Sequence, residues 1–523
     1  VRNISNQTVA RAAGVILAIS IIGRLLGFVR EQVIAARFGT SMYTDAYIMA
    51  FTLPNLIYVI IGGALATALI PVFTEIMAKS GKETASRMSS SIINSSLLGL
   101  LLLCTLGIWM APLLVAIIAP GFSGEISQLT IKLSRIMFPC ILFMALSLLL
   151  GGILNSLKSF AVPASTSVAF SAVIILAVYL LVPVWGIYGL AVGTLAATLA
   201  QVLIQLPALK KMGVKYYPEI KFSHPGVFRV WELMAPAMVG ISINQLYITI
   251  DRILASGLVI GSISALNFAS RLMFLPYNLF VAAINTAVFP TLSEQAAQQD
   301  YSAMGKTTVF GLNLIAFFTI PAAVGLFVLA EPLVRLLFEH GAFDSRSTQM
   351  TVFALNFYVI GLYAQGAYNI MNRTFFALQD TKTPVKIGLL TVFINLICSL
   401  LLIKPLAHGG LALGTSIAAS CNMVVVYFLL RRRLTSLPEK QLFSTLGKII
   451  SASLLMGIVV HLADRYLIEL WDQSYIRNQI LHVGSCVGLG VLSYLLFVIQ
   501  TRIEEVDYIK NRIKQFRKSK RSA

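Results

Sequence analysis

Gly23 to Glu31 reads Gly-Arg-Leu-Leu-Gly-Phe-Val-Arg-Glu and sets two arginines, Arg24 and Arg30, six positions apart inside the first long apolar segment of the chain. In hydrocarbon an arginine at a helix centre costs roughly 2.5–3.5 kcal/mol on insertion scales unless it faces a polar cavity or reaches a headgroup. The pair therefore points to a water-filled, cation-lined cavity for an anionic cargo. The alternative is that both lie near the helix end and touch lipid phosphates. Arg271, four residues before Leu275-Pro276, is a third such cation. Guanidinium grips phosphate oxygens in bidentate fashion and stays charged when desolvated, so these three suit a pyrophosphate. Asp45 and Asn55 are polar residues early in the next segment; Asn55 follows Pro54, where a helix turn opened by proline would offer backbone carbonyls. The neighbours Asp251 and Arg252 read either as an interfacial ion pair or as one carboxylate of a cation site completed by Asn369 or Asn372.

The elements that must carry these residues are membrane helices. The 523 residues are 57% hydrophobic and only 12% charged, with mean hydropathy +0.83. Apolar runs able to span about 30 Å of hydrocarbon recur throughout. Fourteen can be read, at about 10–36, 44–76, 88–119, 129–155, 162–183, 186–209, 228–257, 262–292, 306–338, 348–377, 385–404, 409–431, 443–463 and 478–501. The expected fold is an all-α polytopic membrane protein, and no removable signal peptide is expected ahead of the first span. The net charge of +19 lies largely in alternate loops: Lys79, Lys82 and Arg87; Lys210, Lys211, Lys215 and Lys221; Arg431 to Arg433; and a tail from Lys510 to Arg521. By the positive-inside rule these loops and both termini are cytoplasmic.

Two halves are legible. Ala66 to Glu75 reappears as Asn285 to Glu294, and Gly189 to Thr194 as Gly410 to Thr415, at offsets of 219 and 221 residues. Six spans per half make the copies parallel repeats, a plan suited to two lobes rocking about a central cavity. The expected division is 1–215 for the first lobe, 216–435 for the second, 436–505 for two added helices and 506–523 for a basic cytoplasmic tail. No phosphate-binding loop, zinc-protease or nucleophile motif is present, so a transporter rather than an enzyme is expected. The five cysteines (Cys104, Cys140, Cys398, Cys421 and Cys486) and the scattered histidines read as core or interface residues, with no metal site.

At these residues the chain resembles the MurJ (MviN) family of lipid II flippases, in the multidrug/oligosaccharidyl-lipid/polysaccharide exporter superfamily. The likeness runs through Gly23 to Glu31, Phe38-Gly39, Thr44-Asp45-Ala46, Leu53 to Leu56, Gly63-Ala64, Pro71-Val72-Phe73, Ser270-Arg271-Leu272, Phe289 to Ser293 and Ala377 to Pro384. It implies translocation of the undecaprenyl-pyrophosphate-linked peptidoglycan precursor, lipid II, from the inner to the outer leaflet of the bacterial cytoplasmic membrane by alternating access. It also implies substrate-binding roles for Arg24, Arg30, Arg271 and Asp45, and a groove for the prenyl tail in the last two helices. The partners implied are lipid II, membrane lipids and cell-wall synthesis enzymes, with no nucleic acid. No cofactor is expected beyond a monovalent cation (Na+ or H+) and the membrane potential. Two departures stand out: Tyr58-Val59 occupies the place of a family arginine pair, and Gly62 the place of an acidic residue. They keep open a flippase for another polyprenyl-linked polysaccharide; a multidrug–cation antiporter is the remaining rival.

Overall fold

Backbone N–H and C=O groups have no water to bond in hydrocarbon, so each spanning segment must satisfy its own, and helices do so. The computed structural model describes residues 6–221, 225–434, 436–472 and 475–501, and among them there are helices and no strand. The basic tail expected at 506–523 lies outside the described residues. Nine described helices are long and apolar enough to cross a membrane, or eleven if two bent pairs count as one span each. Two of the nine hold two segments each, broken at Gly81 (φ 80°) and at Ala407 (φ 45°). Divided there, and counted together with the two bent pairs and with Asn6–Phe38 at the start, they give the fourteen segments read from the sequence.

The chain packs as two compact units, Val1–Ser264 and Ala265–Ala523. In the first, Asn6–Phe38 lies on Ala161–Leu180, and Gly63–Trp109 lies on both Cys140–Ser156 and Pro225–Ala255. Leu69, Phe73, Met88 and Ile92 fill its larger core, and Leu133, Met137, Val178 and Leu190 another. The linker 212–221 is strapped to Gly63–Trp109 by side chains: Asn94 donates to the carbonyls of Tyr217 and Glu219, Lys82 to that of Met212, and Arg87 stacks 4.2 Å from the Tyr217 ring centre. In the second unit Tyr301–Val328 packs on Glu439–Leu470, which packs on Ile476–Gln500. Leu98, Leu102, Leu401, Leu462 and Leu496 are among the many large apolar side chains left exposed, as a lipid-facing surface requires.

The sequence repeats are also structural repeats. A π turn at Tyr58–Gly62 follows Pro54, and another at Tyr277–Val281 follows Pro276. From Tyr58 to Tyr277 is 219 residues, the offset of the repeated stretch that follows. Proline removes a backbone donor and crowds the preceding turn, and both wide turns begin within four residues after one. The second repeated motif serves close packing. A Cβ on Gly189 would sit 2.5 Å from the Leu181 carbonyl oxygen, and one on Gly410 would sit 2.3 Å from that of Leu402. Only glycine lets backbone come so near to backbone.

Candidate functional site

Arg30 is held in place. Its Nη2 donates to Glu31 Oε1 at 2.7 Å, and its guanidinium carbon lies 5.3 Å from the centre of the Phe170 ring. Glu31 is buried and the Arg30 side chain is mostly covered, whereas Arg24 is exposed. Six residues advance an α-helix by about 600°, so the two arginines stand roughly 120° apart around its axis. They occupy different faces of Asn6–Phe38. Arg271 is exposed on Ser262–Pro276 and belongs to the second unit.

Asp45 and Thr52 are one face of Met42–Ile57, seven residues apart, and both point at partners more than 190 positions away. Asp45 is 1% exposed. Its Oδ2 accepts the Gly261 N–H at 2.6 Å, and its Oδ1 accepts both the N–H and the O–H of Ser264, at 2.8 and 2.7 Å. The carboxylate thus caps the start of Ser262–Pro276 from a neighbouring helix, where the orphan N–H groups and the positive end of the helix dipole favour an anion. Thr52 Oγ1 accepts from Arg252 Nη1 at 2.9 Å and donates to the Ile48 carbonyl. Gly261 has φ +98°, and a Cβ there would lie 2.6 Å from the Thr40 carbonyl oxygen. The nearby Gly121 N–H donates to Ser256 Oγ at 3.3 Å. The connections 39–41, 119–123 and 256–261 therefore close against one another at one end of the first unit.

Asn55 is half-buried, but the turn at Pro54-Asn55 is not open: both carbonyls accept the Tyr58 N–H as the π turn begins. Gly62 is buried, with Leu148 and Ala145 atoms 3.3–3.5 Å from where its Cβ would be, so a side chain there would pack directly on that helix. Asp251 is half-buried in the first unit, and Asn369 and Asn372 lie in the second. Asn369 is engaged on both sides of its amide, accepting from Asn285 Nδ2 at 2.8 Å and donating to Tyr277 OH at 3.2 Å. Asn372 Oδ1 is buried without a hydrogen-bond partner.

Two further features lie at the last two helices. An apolar pocket of about 480 Å³ opens between Tyr301–Val328 and Ile476–Gln500, lined by Phe280, Phe317, Phe318, Met456, Val460 and Tyr494 among others. His482 and Cys486 are both buried, as core residues are, and a carboxylate stands beside them. Asp464, His482 and Cys486 converge, their ligand atoms all within 4.8 Å of one another. The i, i+4 spacing of His482 and Cys486 was the available signal; Asp464 comes from the other helix of the hairpin and gave none.

Comparison with known proteins agrees with this architecture. The profile of the lipid II flippase MurJ family matches residues 34–481. A curated relative, the lipid II flippase MurJ of Burkholderia cenocepacia, is 32% identical over 463 residues, covering 86% of this chain and 89% of that protein. A solved lipid II flippase MurJ in an inward closed conformation superposes with TM-score 0.78 at 29% identity, over 93% of this chain and 98% of that one. An inward-facing multidrug resistance MATE family transporter of the MOP superfamily shares the fold, with TM-score 0.67 at 15% identity over 82% of this chain and 99% of that one. Profile, relative and solved fold coincide along nearly the whole length, and the chain belongs to the MurJ family.

Proposed function

We propose that this chain is a lipid II flippase, carrying an undecaprenyl-pyrophosphate-linked peptidoglycan precursor across the bacterial cytoplasmic membrane by alternating access. The observation that carries the reading is family membership over 34–481 together with a guanidinium, Arg30, oriented by Glu31 and Phe170 within an apolar helix. Arg24, Arg30 and Arg271 neutralise the pyrophosphate while the prenyl tail stays in lipid or in the groove beside the last two helices. In this reading 1–215 and 216–435 are the moving lobes. Asn55 lines the headgroup path, and Asp45 acts through the closed end of the first unit rather than by touching an anion.

Both termini and the basic loops face the cytoplasm, so the connections 39–41, 119–123 and 256–261, which carry no Lys or Arg, form an outer gate. A monovalent cation, Na+ or H+, and the inside-negative membrane potential supply the driving force; the potential is worth about 2.3 kcal/mol per charge per 100 mV. Cell-wall synthesis enzymes are the protein partners in this scheme. The experiment is complementation of a strain depleted of its own flippase by single alanine variants of Arg24, Arg30 and Arg271, with membrane insertion checked by immunoblot. Loss of growth support is expected for each. Full support by all three would end the arginine model, and failure of the intact inserted chain would favour another polyprenyl-linked glycan. Equal transport with sodium and with an inert replacement would exclude sodium as the coupling ion.

A further inference from the structure

We propose that Asp464, His482 and Cys486 form a binding site for a divalent transition metal of the Zn2+ type, in the hairpin of Glu439–Leu470 and Ile476–Gln500. His482 and Cys486, one turn apart, share a face of one helix, and Asp464 faces them from the other. His482 is 1% exposed and Cys486 fully buried. His482 Nε2 stands 3.0 Å from Asp464 Oδ1. Yet neither of these atoms, nor His482 Nδ1, is in an aligned hydrogen bond. A buried imidazole with both nitrogens unbonded calls for an explanation. A cation placed among the three ligand groups engages one of these ring nitrogens together with the unpartnered Asp464 Oδ1.

The donor set also selects the class of metal. Imidazole, carboxylate and thiolate are zinc ligands, with bonds of about 2.0–2.3 Å. Two such ligands on one tetrahedral ion lie roughly 3.3–3.7 Å apart, so the present trio needs only small side-chain rotations. Thiolate plus carboxylate balance a dication, and no net charge is buried. Binding sends the Cys486 thiol proton to water. Sodium, magnesium and calcium prefer oxygen ligands and gain little from the sulfur. The ring of Trp471 stands edge-on to His482, with centroids 6.3 Å apart, and covers the site on the side of the hairpin turn. Cys486 also lines the apolar pocket described above, so the metal would brace one wall of that pocket.

The test uses the full chain, purified in detergent with a histidine-free tag, stripped with EDTA and titrated with Co2+ as a spectroscopic probe. The expected result is one Co2+ per chain with thiolate-to-cobalt charge-transfer absorption, displaced by one equivalent of Zn2+. Cys486→Ser should abolish that absorption, and His482→Ala or Asp464→Asn should weaken Co2+ binding at least about a hundredfold, beyond what losing an outer-shell partner costs. An intact chain that shows no thiolate absorption, or a Cys486→Ser chain that keeps it, would overturn the proposal. Should the variants not fold, the titration of the intact chain decides the matter alone.

Discussion

Replacing Asp45 by asparagine should loosen the closed end of the first unit, and the size of the effect can be worked out from the bonds. Both carboxylate oxygens accept, one from Gly261 N–H and the other from the N–H and O–H of Ser264. An asparagine keeps one acceptor and turns an NH2 group toward a backbone N–H. At least one charge-assisted bond is lost, about 1.5–3 kcal/mol, and an N–H is left buried. If closure at this end is a two-state equilibrium, the open fraction rises roughly 10- to 150-fold. Thr40 is 6% exposed and its carbonyl oxygen lies against Gly261, so Thr40→Cys reports on the same contact. Its labelling by a membrane-impermeant maleimide on intact cells should accelerate by that factor when Asp45→Asn is added. Cys104, Cys140 and Cys486 are buried, whereas Cys398 and Cys421 are half-buried and are replaced by serine in the background chain. An unchanged labelling rate, with the variant inserted and folded, would refute the argument that Asp45 holds this end closed.

Three other outcomes are expected. Gly189→Ala and Gly410→Ala each force a methyl to within 2.5 and 2.3 Å of a carbonyl oxygen, so each should cost about 1–3 kcal/mol, read as a lower Tm in detergent; two silent substitutions would contradict the close packing. Asp380 accepts from Thr383 N–H at 3.0 Å and Thr383 O–H at 2.7 Å, and these bonds hold its carboxyl below the usual range. Its contribution is therefore fully present above about pH 4, the unfolded value, and is lost as pH falls through the lower folded one. Asp380→Ala should cost on the order of 1 kcal/mol near neutrality and flatten that acid decline in thermal unfolding. Gly325 lines the apolar pocket and has no atom within 4 Å of its Cβ direction; Gly325→Phe should leave Tm unchanged while lowering translocation, and normal translocation would argue against a tail in that groove.

The helices and their repetition were legible because both are written locally. Apolar runs set the spans, and Ala66 to Glu75 with its copy at Asn285 marked the register that the two π turns share. Even the motif from Ala377 to Pro384 has a local explanation, since Asp380 caps the helix that Lys382 begins. The site was legible only as a set of residue types. Arg24 and Arg30 were noticed for their charge, but their positions about 120° apart follow from helix geometry rather than from spacing within an apolar run. Asp45 reads in the sequence as a substrate ligand, and the structure adds what the sequence does not show, that its carboxylate accepts hydrogen bonds from partners 216 and 219 residues away. No local pattern encodes a partner at that distance. The same holds for Arg252 on Thr52 and for Asp464 opposite His482.

The central claim is that Arg30 is a charge the cargo needs. Its most direct test is the amount of lipid II accessible at the outer leaflet of cells depleted of their own flippase, supplied with the intact chain or with Arg30→Ala at equal membrane abundance. The account expects outer-leaflet lipid II with the intact chain and its loss with the variant. Equal exposure by both would contradict it.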